Sequence, residues 1–148
     1  WDPDEHRYFA ECVEPLLDED AVYAGQVGGA AKAALLGAAE ALVNPIRWPE
    51  PFGLVMIEAL ATGTPVLTFA EGAAPEIVEH GRTGFVCRDD DEMADLLRRV
   101  GELDRAACRA SVEARFSTAR MVADHVALYR RLLARRARTD DAQVALAR

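Results

Sequence analysis

Apolar and polar positions follow two alternating patterns along the chain. Segments with apolar residues spaced three or four apart predict helices, most clearly at Met93, Leu96, Leu97 and Val100. Between such segments lie short, almost wholly apolar runs, which are typical of strands buried on both faces of a parallel sheet. These runs are AVYAG (21–25), ALVNP (41–45), PVLTF (65–69) and TGFVC (83–87). Strands that alternate with helices predict an α/β fold with a Rossmann-like, doubly wound parallel sheet.

The ends of the predicted helices carry characteristic capping residues. Asp2 is an expected N-cap, with Pro3 at the first helical position and Glu5 completing a capping box. A second helix is predicted from Gly53 to Thr62, with Gly63 as its C-cap. Further helices are predicted at the alanine-rich segment 29–40, after Pro75, and behind the aspartates of 89–91.

The last predicted helix begins after Ser117 as its N-cap. Its apolar positions recur at helical spacing, so we expect them to face the core. They are Met121, His125, Tyr129, Leu132 and Leu133. Residues 1–138 are expected to form one partial domain, and residues 139–148 a frayed tail.

Composition narrows the class of protein. The chain has 148 residues, of which 51% are hydrophobic and 28% charged, which is typical of a globular domain. The formal net charge of −8 argues against nucleic acid as a partner. Cys12, Cys87 and Cys108 are odd in number and widely separated, which indicates reduced thiols in a cytoplasmic protein. No Cys/His cluster suggests a metal site, and we expect no cofactor.

The stretch EPFGLVMIE (50–58) carries the candidate chemistry. Glu58 is the only charged residue between Glu50 and Gly63. The first N–H groups of a helix that begins at Gly53 lack intrahelical partners, and together with the helix dipole they favour an anion. Gly53 has no side chain, so a phosphate can approach its backbone closely. Glu58 then lies roughly 7–8 Å further along the helix, from a rise of about 1.5 Å per residue.

A carboxylate on each side of a phosphate-binding turn suits a ligand with two hydroxyl-rich groups joined by a diphosphate. Ionised carboxylates accept hydrogen bonds, and paired sugar hydroxyls donate them. A nucleotide-sugar has this layout. Two alternatives stay open: Glu58 forms an ion pair with an arginine such as Arg47, or Glu50 is an ordinary loop carboxylate.

The segment NPIRWPEPFGLVMIEALATGTPVLTFAEGAAPEIVEHGRTGFV (44–86) resembles the donor-binding, C-terminal domain of group-one, family-four glycosyltransferases, which are retaining enzymes of the GT-B fold. The E-x7-E motif of that family matches Glu50 and Glu58. The resemblance implies transfer of a sugar, with retention of configuration, from a UDP-, GDP- or ADP-linked donor to an unknown acceptor.

The resemblance also implies residue roles. Glu50 is the catalytic candidate and contacts hydroxyls of the donor sugar, while Glu58 binds the ribose hydroxyls. The base is expected at the loop that contains Gln26 and Val27. Lys32 is a weaker candidate for a phosphate contact, and Trp48 is either a rim residue near the sugar or a packed loop aromatic. Backbone contacts to the sugar and diphosphate are expected at Phe52, Gly53, Leu54 and Val55.

The chain departs from the family pattern in what it lacks. No segment matches the acceptor-binding N-terminal domain, or the first two strands and the basic Arg/Lys pair of the donor domain. We therefore expect the isolated chain to be inactive, with a non-catalytic nucleotide-binding or assembly module as the alternative. An open sheet edge predicts a rearranged strand pairing or a homo-oligomer. Membrane-surface contact is a further alternative, raised by the basic residues Arg130, Arg131, Arg135, Arg136 and Arg138.

Overall fold

The computed structural model describes the backbone of residues 2–146 and the side chains of residues 2–136. The chain divides into two compact units, Trp1–Lys32 and Ala33–Arg148. In the first unit, helix α1 (Pro3–Tyr8) continues through a π-helical turn (Phe9–Val13) and a 3-10 turn (Glu14–Leu16). Asp2 accepts hydrogen bonds from the Asp4 and Glu5 N–H groups, and the Glu5 carboxylate accepts one from the Asp2 N–H. The predicted capping box is confirmed.

The strand predicted at 21–25 is wrong. Within the described residues this run has no partner strand, and its apolar side chains are open: Val22 is 76% exposed and Tyr23 is 50% exposed. An apolar run forms a parallel strand only where a neighbouring strand supplies the matching donors and acceptors. Composition alone does not reveal whether that neighbour exists.

The other three predicted strands are confirmed in the second unit. They are β1 (Leu42–Asn44), β2 (Val66–Phe69) and β3 (Gly84–Cys87), which form a parallel sheet in the order β1-β2-β3. Leu42 pairs with Val66 across the first ladder, and Val66 pairs with Gly84 across the second. The fold is therefore α/β with a parallel sheet, as predicted.

The described residues form six further helices: α2 (Gly29–Ala38), α3 (Leu54–Ala61), α4 (Ala74–Ile77), α5 (Asp90–Leu97), α6 (Arg105–Arg115) and α7 (Thr118–Leu146), with a 3-10 turn at Val100–Glu102. Of the aspartates at 89–91, Asp89 caps α5 by accepting from the Glu92 N–H, and the predicted N-cap Ser117 accepts through Oγ from the Arg120 N–H. Gly63 follows α3 with a φ of 81°. Helix α6, capped by Asp104, is an addition to the predicted elements.

The core lies on both faces of the sheet, as a parallel sheet requires. Successive residues of β2 point to opposite faces, and every residue of this strand is buried. One cluster is built around Met56, Leu60 and Val66, and the other around Leu67 and Phe85. The central strand therefore anchors the loops that leave its carboxyl end.

The inner face predicted for α7 is wrong. Met121, Tyr129 and Leu133 are 53%, 57% and 68% exposed, and the other positions of that stripe are exposed too. A 3.6-residue period identifies which face of a helix is apolar, but only a neighbouring element can bury it. The α7 backbone is helical to Leu146, while the side chains from residue 137 onward, including Arg138, lie outside the described residues. The frayed tail at 139–148 stays a prediction. Among the helices described, none combines the length and apolar composition needed to cross a bilayer.

Candidate functional site

The loop from β1 to α3 is rich in proline, and two backbone hydrogen bonds hold Glu50 within it. Prolines at 45, 49 and 51 restrict φ along this loop. The Glu50 N–H donates to the Trp48 carbonyl oxygen (2.8 Å), and the Glu50 carbonyl oxygen accepts from the Ala73 N–H (2.9 Å). The half-buried Glu50 residue is therefore fixed by contacts before and after it in the chain.

Gly53 begins α3 in a left-handed conformation. Its φ is 72° and its ψ is 53°, a region that residues with a side chain rarely adopt. A Cβ at this position would lie 2.2 Å from Met56 Cε and 3.5 Å from Ile77 Cδ1. Glycine is thus favoured chiefly by the left-handed backbone, and a Cβ would also require the flexible end of Met56 to move.

The N-terminus of α3 has the chemistry of an anion site. No side chain caps Gly53, and the Met56 N–H bonds to the Gly53 carbonyl oxygen at 3.1 Å. The amides of Leu54 and Val55 precede the first residues whose N–H groups pair within a helix, so they are available to an external acceptor. An anion placed here would also meet the positive end of the helix dipole.

Helix α3 turns Glu58 away from the core. Met56, Ala59 and Leu60 are buried at 1%, 0% and 0% exposure, whereas Glu58 is half-buried and lies one turn after the exposed Leu54. Glu58 already interacts with another group of the chain. A ligand role for this carboxylate therefore rests on its place along α3.

Arg47 pairs with Asp90, and not with Glu58 as the ion-pair alternative suggested. Its guanidinium pairs with the Asp90 carboxylate at 2.9 Å and stacks over the Phe69 ring at 4.2 Å. Arg47 and Phe69, together with Glu71 and Arg88, line a cavity of about 550 Å³ at the carboxyl ends of β2 and β3. Sequence reasoning missed this feature, because the stacking partner comes from a different strand.

Two aromatic residues flank the Glu50 loop at the surface. Trp48 is 56% exposed and Phe52 is 53% exposed, so Trp48 is not packed into the loop, and its place near the sugar stays a prediction. Phe52 and Leu54 also line an apolar cavity of about 350 Å³ with Phe116 and Met121. The candidate site thus has apolar surface beside its carboxylates and free amides.

Three predicted residues belong to the first unit. Gln26 and Val27 lie in the loop before α2, and Lys32 lies within α2 and interacts with another group of the chain. Gln26 is exposed, while Val27 and Lys32 are half-buried. Their roles toward the base and the phosphate stay predictions.

Glu79, which follows α4, is held by a network that tethers α4 to α6. Its carboxylate accepts from Arg82, from Ser111 Oγ at 2.8 Å and from Arg115 at 3.0 Å. The hydrogen bonds from Arg82 and Ser111, and the charges of both arginines, hold the pKa of Glu79 below its usual value. Arg115 also donates to backbone carbonyls of α4. The network therefore stabilises α4, which directly follows Ala73, the residue that donates to the Glu50 carbonyl oxygen.

The second unit contains two cysteines, and neither is a reactive thiol. Cys87 and Cys108 are buried, and burial raises the pKa of both thiols. A thiol with a raised pKa is a poor nucleophile near neutral pH. Cys87 and Cys108 therefore act as small apolar residues of the core.

Comparison with known proteins gives the family. Residues 2–103 match the family described as glycosyl transferases group 1. A D-inositol 3-phosphate glycosyltransferase from Nocardioides sp. is 44% identical over 104 residues, which cover 64% of this chain and 22% of that protein. A glycogen synthase from Mycobacterium tuberculosis is 44% identical over 84 residues, which cover 55% of this chain and 20% of that protein.

A solved structure agrees with this assignment. Sucrose-phosphate synthase from Thermosynechococcus elongatus matches 90% of this chain and 37% of its own, with a TM-score of 0.72 and 31% identity. The two proteins are therefore similar in sequence as well as in fold. The chain spans about a fifth of the length of the two curated relatives named above.

Proposed function

Since the chain belongs to the group 1 glycosyl transferases, we propose that it is the donor-binding part of a retaining enzyme that moves a sugar from a nucleoside-diphosphate sugar to an acceptor. One observation carries the proposal. A helix N-terminus without a side-chain cap, opened by the left-handed Gly53, lies between two half-buried carboxylates, Glu50 before it and Glu58 within it.

Each part of the donor has a matching group. The diphosphate accepts hydrogen bonds from the first amides of α3, at Gly53, Leu54 and Val55, and gains from the helix dipole. Glu58 accepts hydrogen bonds from the ribose hydroxyls further along α3. Glu50 accepts them from hydroxyls of the sugar, next to the bond that breaks, and the Phe52 backbone completes this end of the site.

The isolated chain is proposed to bind the donor without transferring its sugar. Sugar transfer needs an acceptor held beside the donor, and the matched region is a fifth of the relatives' length. A mass-spectrometric transfer assay with the isolated chain should show no product above background. Turnover would favour a self-sufficient enzyme, and tight nucleotide binding in a longer protein without any transfer would favour the alternative of a non-catalytic module.

Calorimetric titration tests the donor site directly. The chain is titrated with UDP, GDP and ADP, and then with the sugar conjugates of whichever nucleotide binds. We expect one nucleotide to bind and Glu58→Ala to weaken it about tenfold, because charge-assisted hydrogen bonds to the ribose are lost. Glu113→Ala is the matched control, since Glu113 is an exposed helical carboxylate paired with Arg109. No binding by wild type at about millimolar nucleotide, equivalent to an affinity weaker than roughly 4 kcal/mol, would overturn the proposal.

Two partner proposals accompany this function. β1 is an edge strand of the described sheet and Val43 on it is 44% exposed, which supports pairing with a second copy of the chain in the cytoplasm. Contact with a membrane surface stays the alternative. Its support is the exposed apolar stripe of α7 beside Arg130 and Arg131. Flotation with phosphatidylglycerol vesicles, and none with phosphatidylcholine vesicles, would favour the membrane.

A further inference from the structure

The loop that leaves β2 runs directly against the backbone of Glu50. Gly72 in this loop has a φ of 50°, and a Cβ built on it would lie 2.2 Å from the Glu50 carbonyl oxygen and 2.6 Å from the Glu50 nitrogen. The same atom would lie 2.8 Å from the Pro49 carbonyl carbon. All three neighbours are backbone atoms, which cannot rotate away as a side chain would. Only glycine fits this approach.

The residue after Gly72 completes the contact. The Ala73 N–H donates to the Glu50 carbonyl oxygen at 2.9 Å. Two consecutive residues therefore hold the backbone of Glu50 in the β1–α3 loop, Gly72 by close packing and Ala73 by a hydrogen bond. This contact joins the loops that leave neighbouring strands, at the sheet edge where the candidate site lies.

The β2 side of the contact is the more firmly anchored. Ala74 and Ile77 of α4, which follows immediately, are 4% and 2% exposed and belong to the core. On the other side, Trp48 is 56% exposed. A side chain added at Gly72 would therefore displace Glu50, and the core-anchored α4 would stay in place.

We propose that Gly72 is a positioning residue that sets where the Glu50 carboxylate meets the donor sugar. The inference rests on the proposed function, because it takes Glu50 as the sugar contact. Glu58 is positioned separately, since Met56, Ala59 and Leu60 fix α3 in the core. Gly72 therefore governs the sugar end of the site and leaves the nucleotide end intact.

The test compares Gly72→Ala with Gly81→Ala. Gly81 also has a left-handed backbone, with a φ of 75°, but a Cβ there meets nothing within 4 Å, so this control isolates backbone strain from displacement of Glu50. Calorimetry measures how much more tightly each variant binds the nucleotide-sugar than the nucleotide alone. We expect Gly72→Ala and Glu50→Gln each to reduce this ratio about fivefold to tenfold, through loss of charge-assisted hydrogen bonds. Nucleotide affinity should stay within about twofold, because Glu58 keeps its place.

A measurement without ligand separates this inference from the proposed function. Amide hydrogen exchange at Ala73 should accelerate in Gly72→Ala and stay unchanged in Gly81→Ala. Should Gly72→Ala fold poorly, Ala73→Pro removes the donor to Glu50 instead, and the same drop in the ratio is expected. An unchanged ratio, whether both affinities stay the same or fall by the same factor, overturns the positioning role. A wild-type chain that binds no nucleotide overturns the proposed function, and with it the sugar role of Gly72, whatever the exchange result.

Discussion

Glu50 and Glu58 are the same residue type held in two different ways. Glu50 lies in a proline-rich loop and is fixed by hydrogen bonds of its own backbone, to Trp48 and from Ala73. Glu58 is fixed by α3, whose opposite face is buried. Changes in the loop should therefore move Glu50 alone, and changes in the core should move Glu58.

At the residue scale, replacing Gly53 should destabilise the fold. Gly53→Ala forces a side chain into a left-handed backbone, which costs about 1–2 kcal/mol, and its Cβ would lie 2.2 Å from Met56 Cε. Urea unfolding should show a lower midpoint at an unchanged slope. Gly101→Ala is the control, because no atom lies within 4 Å of its Cβ, and it should be neutral or slightly stabilising. Equal midpoints for the two variants would contradict the strain argument.

Glu79 should give the protein part of its sensitivity to acid. Its pKa in the folded chain lies below the usual 4.5, so the carboxylate stabilises the fold above pH 4.5 and this contribution is lost as the pH falls through the folded value. Wild type should therefore lose more stability than Glu79→Gln between about pH 5 and pH 3. Ser111→Ala, which removes one donor to Glu79, should give an intermediate loss in the same unfolding series. If Glu79→Gln lost more stability than wild type over this pH range, the ionised Glu79 carboxylate would not be stabilising the fold.

At the element scale, one arginine joins α6 to the end of α2. Arg105 donates to the carbonyl oxygens of Gly37 and Ala39, each at 2.9 Å, and to Thr64 Oγ1 at 3.0 Å. The last carbonyls of a helix lack intrahelical partners, so these bonds cap α2. Local propensity predicted α2, but this cap depends on a residue some seventy positions later and is visible only in the fold.

Removing that cap should cost stability. Arg105→Ala leaves the carbonyls of Gly37 and Ala39 without their donor, and we expect a loss of about 1 kcal/mol because water reaches this exposed site. Arg109→Ala on the same helix is the control. Its exposed i,i+4 pair with Glu113 should contribute only about 0.3–0.5 kcal/mol. Thermal unfolding of both variants measures the difference, and an Arg105→Ala loss no larger than the control would remove the capping role.

At the scale of the whole molecule, β1 leaves one edge of the described sheet open. The Leu42 N–H donates to the Pro65 carbonyl oxygen at 2.9 Å, so the backbone groups of the next residue, Val43, point away from β2. Edge strands with unpaired groups are templates for pairing with another chain.

A charge at that edge should prevent self-association. Val43→Lys is expected to lower the dimer fraction in sedimentation velocity about tenfold, because edge lysines oppose strand pairing. Leu97→Lys is a matched control, since Leu97 is 42% exposed on α5 and Val43 is 44% exposed. A wild-type chain that stays monomeric at all concentrations would contradict the pairing of copies through β1.

Sequence alone determined whatever depends on neighbours within a few residues. The caps at Asp2 and Ser117, the helix behind the aspartates of 89–91, the helix that follows Gly53, and three apolar strands were all predicted. Capping, backbone conformation and burial pattern each depend on residues close together in the sequence. The group 1 resemblance carried by 44–86 was likewise confirmed.

Tertiary structure decided whatever depends on a distant partner. The run at 21–25 has the composition of a buried strand and the stripe on α7 has a helical period, yet both remain exposed in the described structure because a local pattern does not supply a neighbour. Arg47 pairs with Asp90 and stacks on Phe69, and Gly72 packs against the backbone of Glu50. These contacts join loops that only the parallel sheet brings together. A close approach between two loops leaves no periodic signal in the chain, and so its meaning appears only once the strands are side by side.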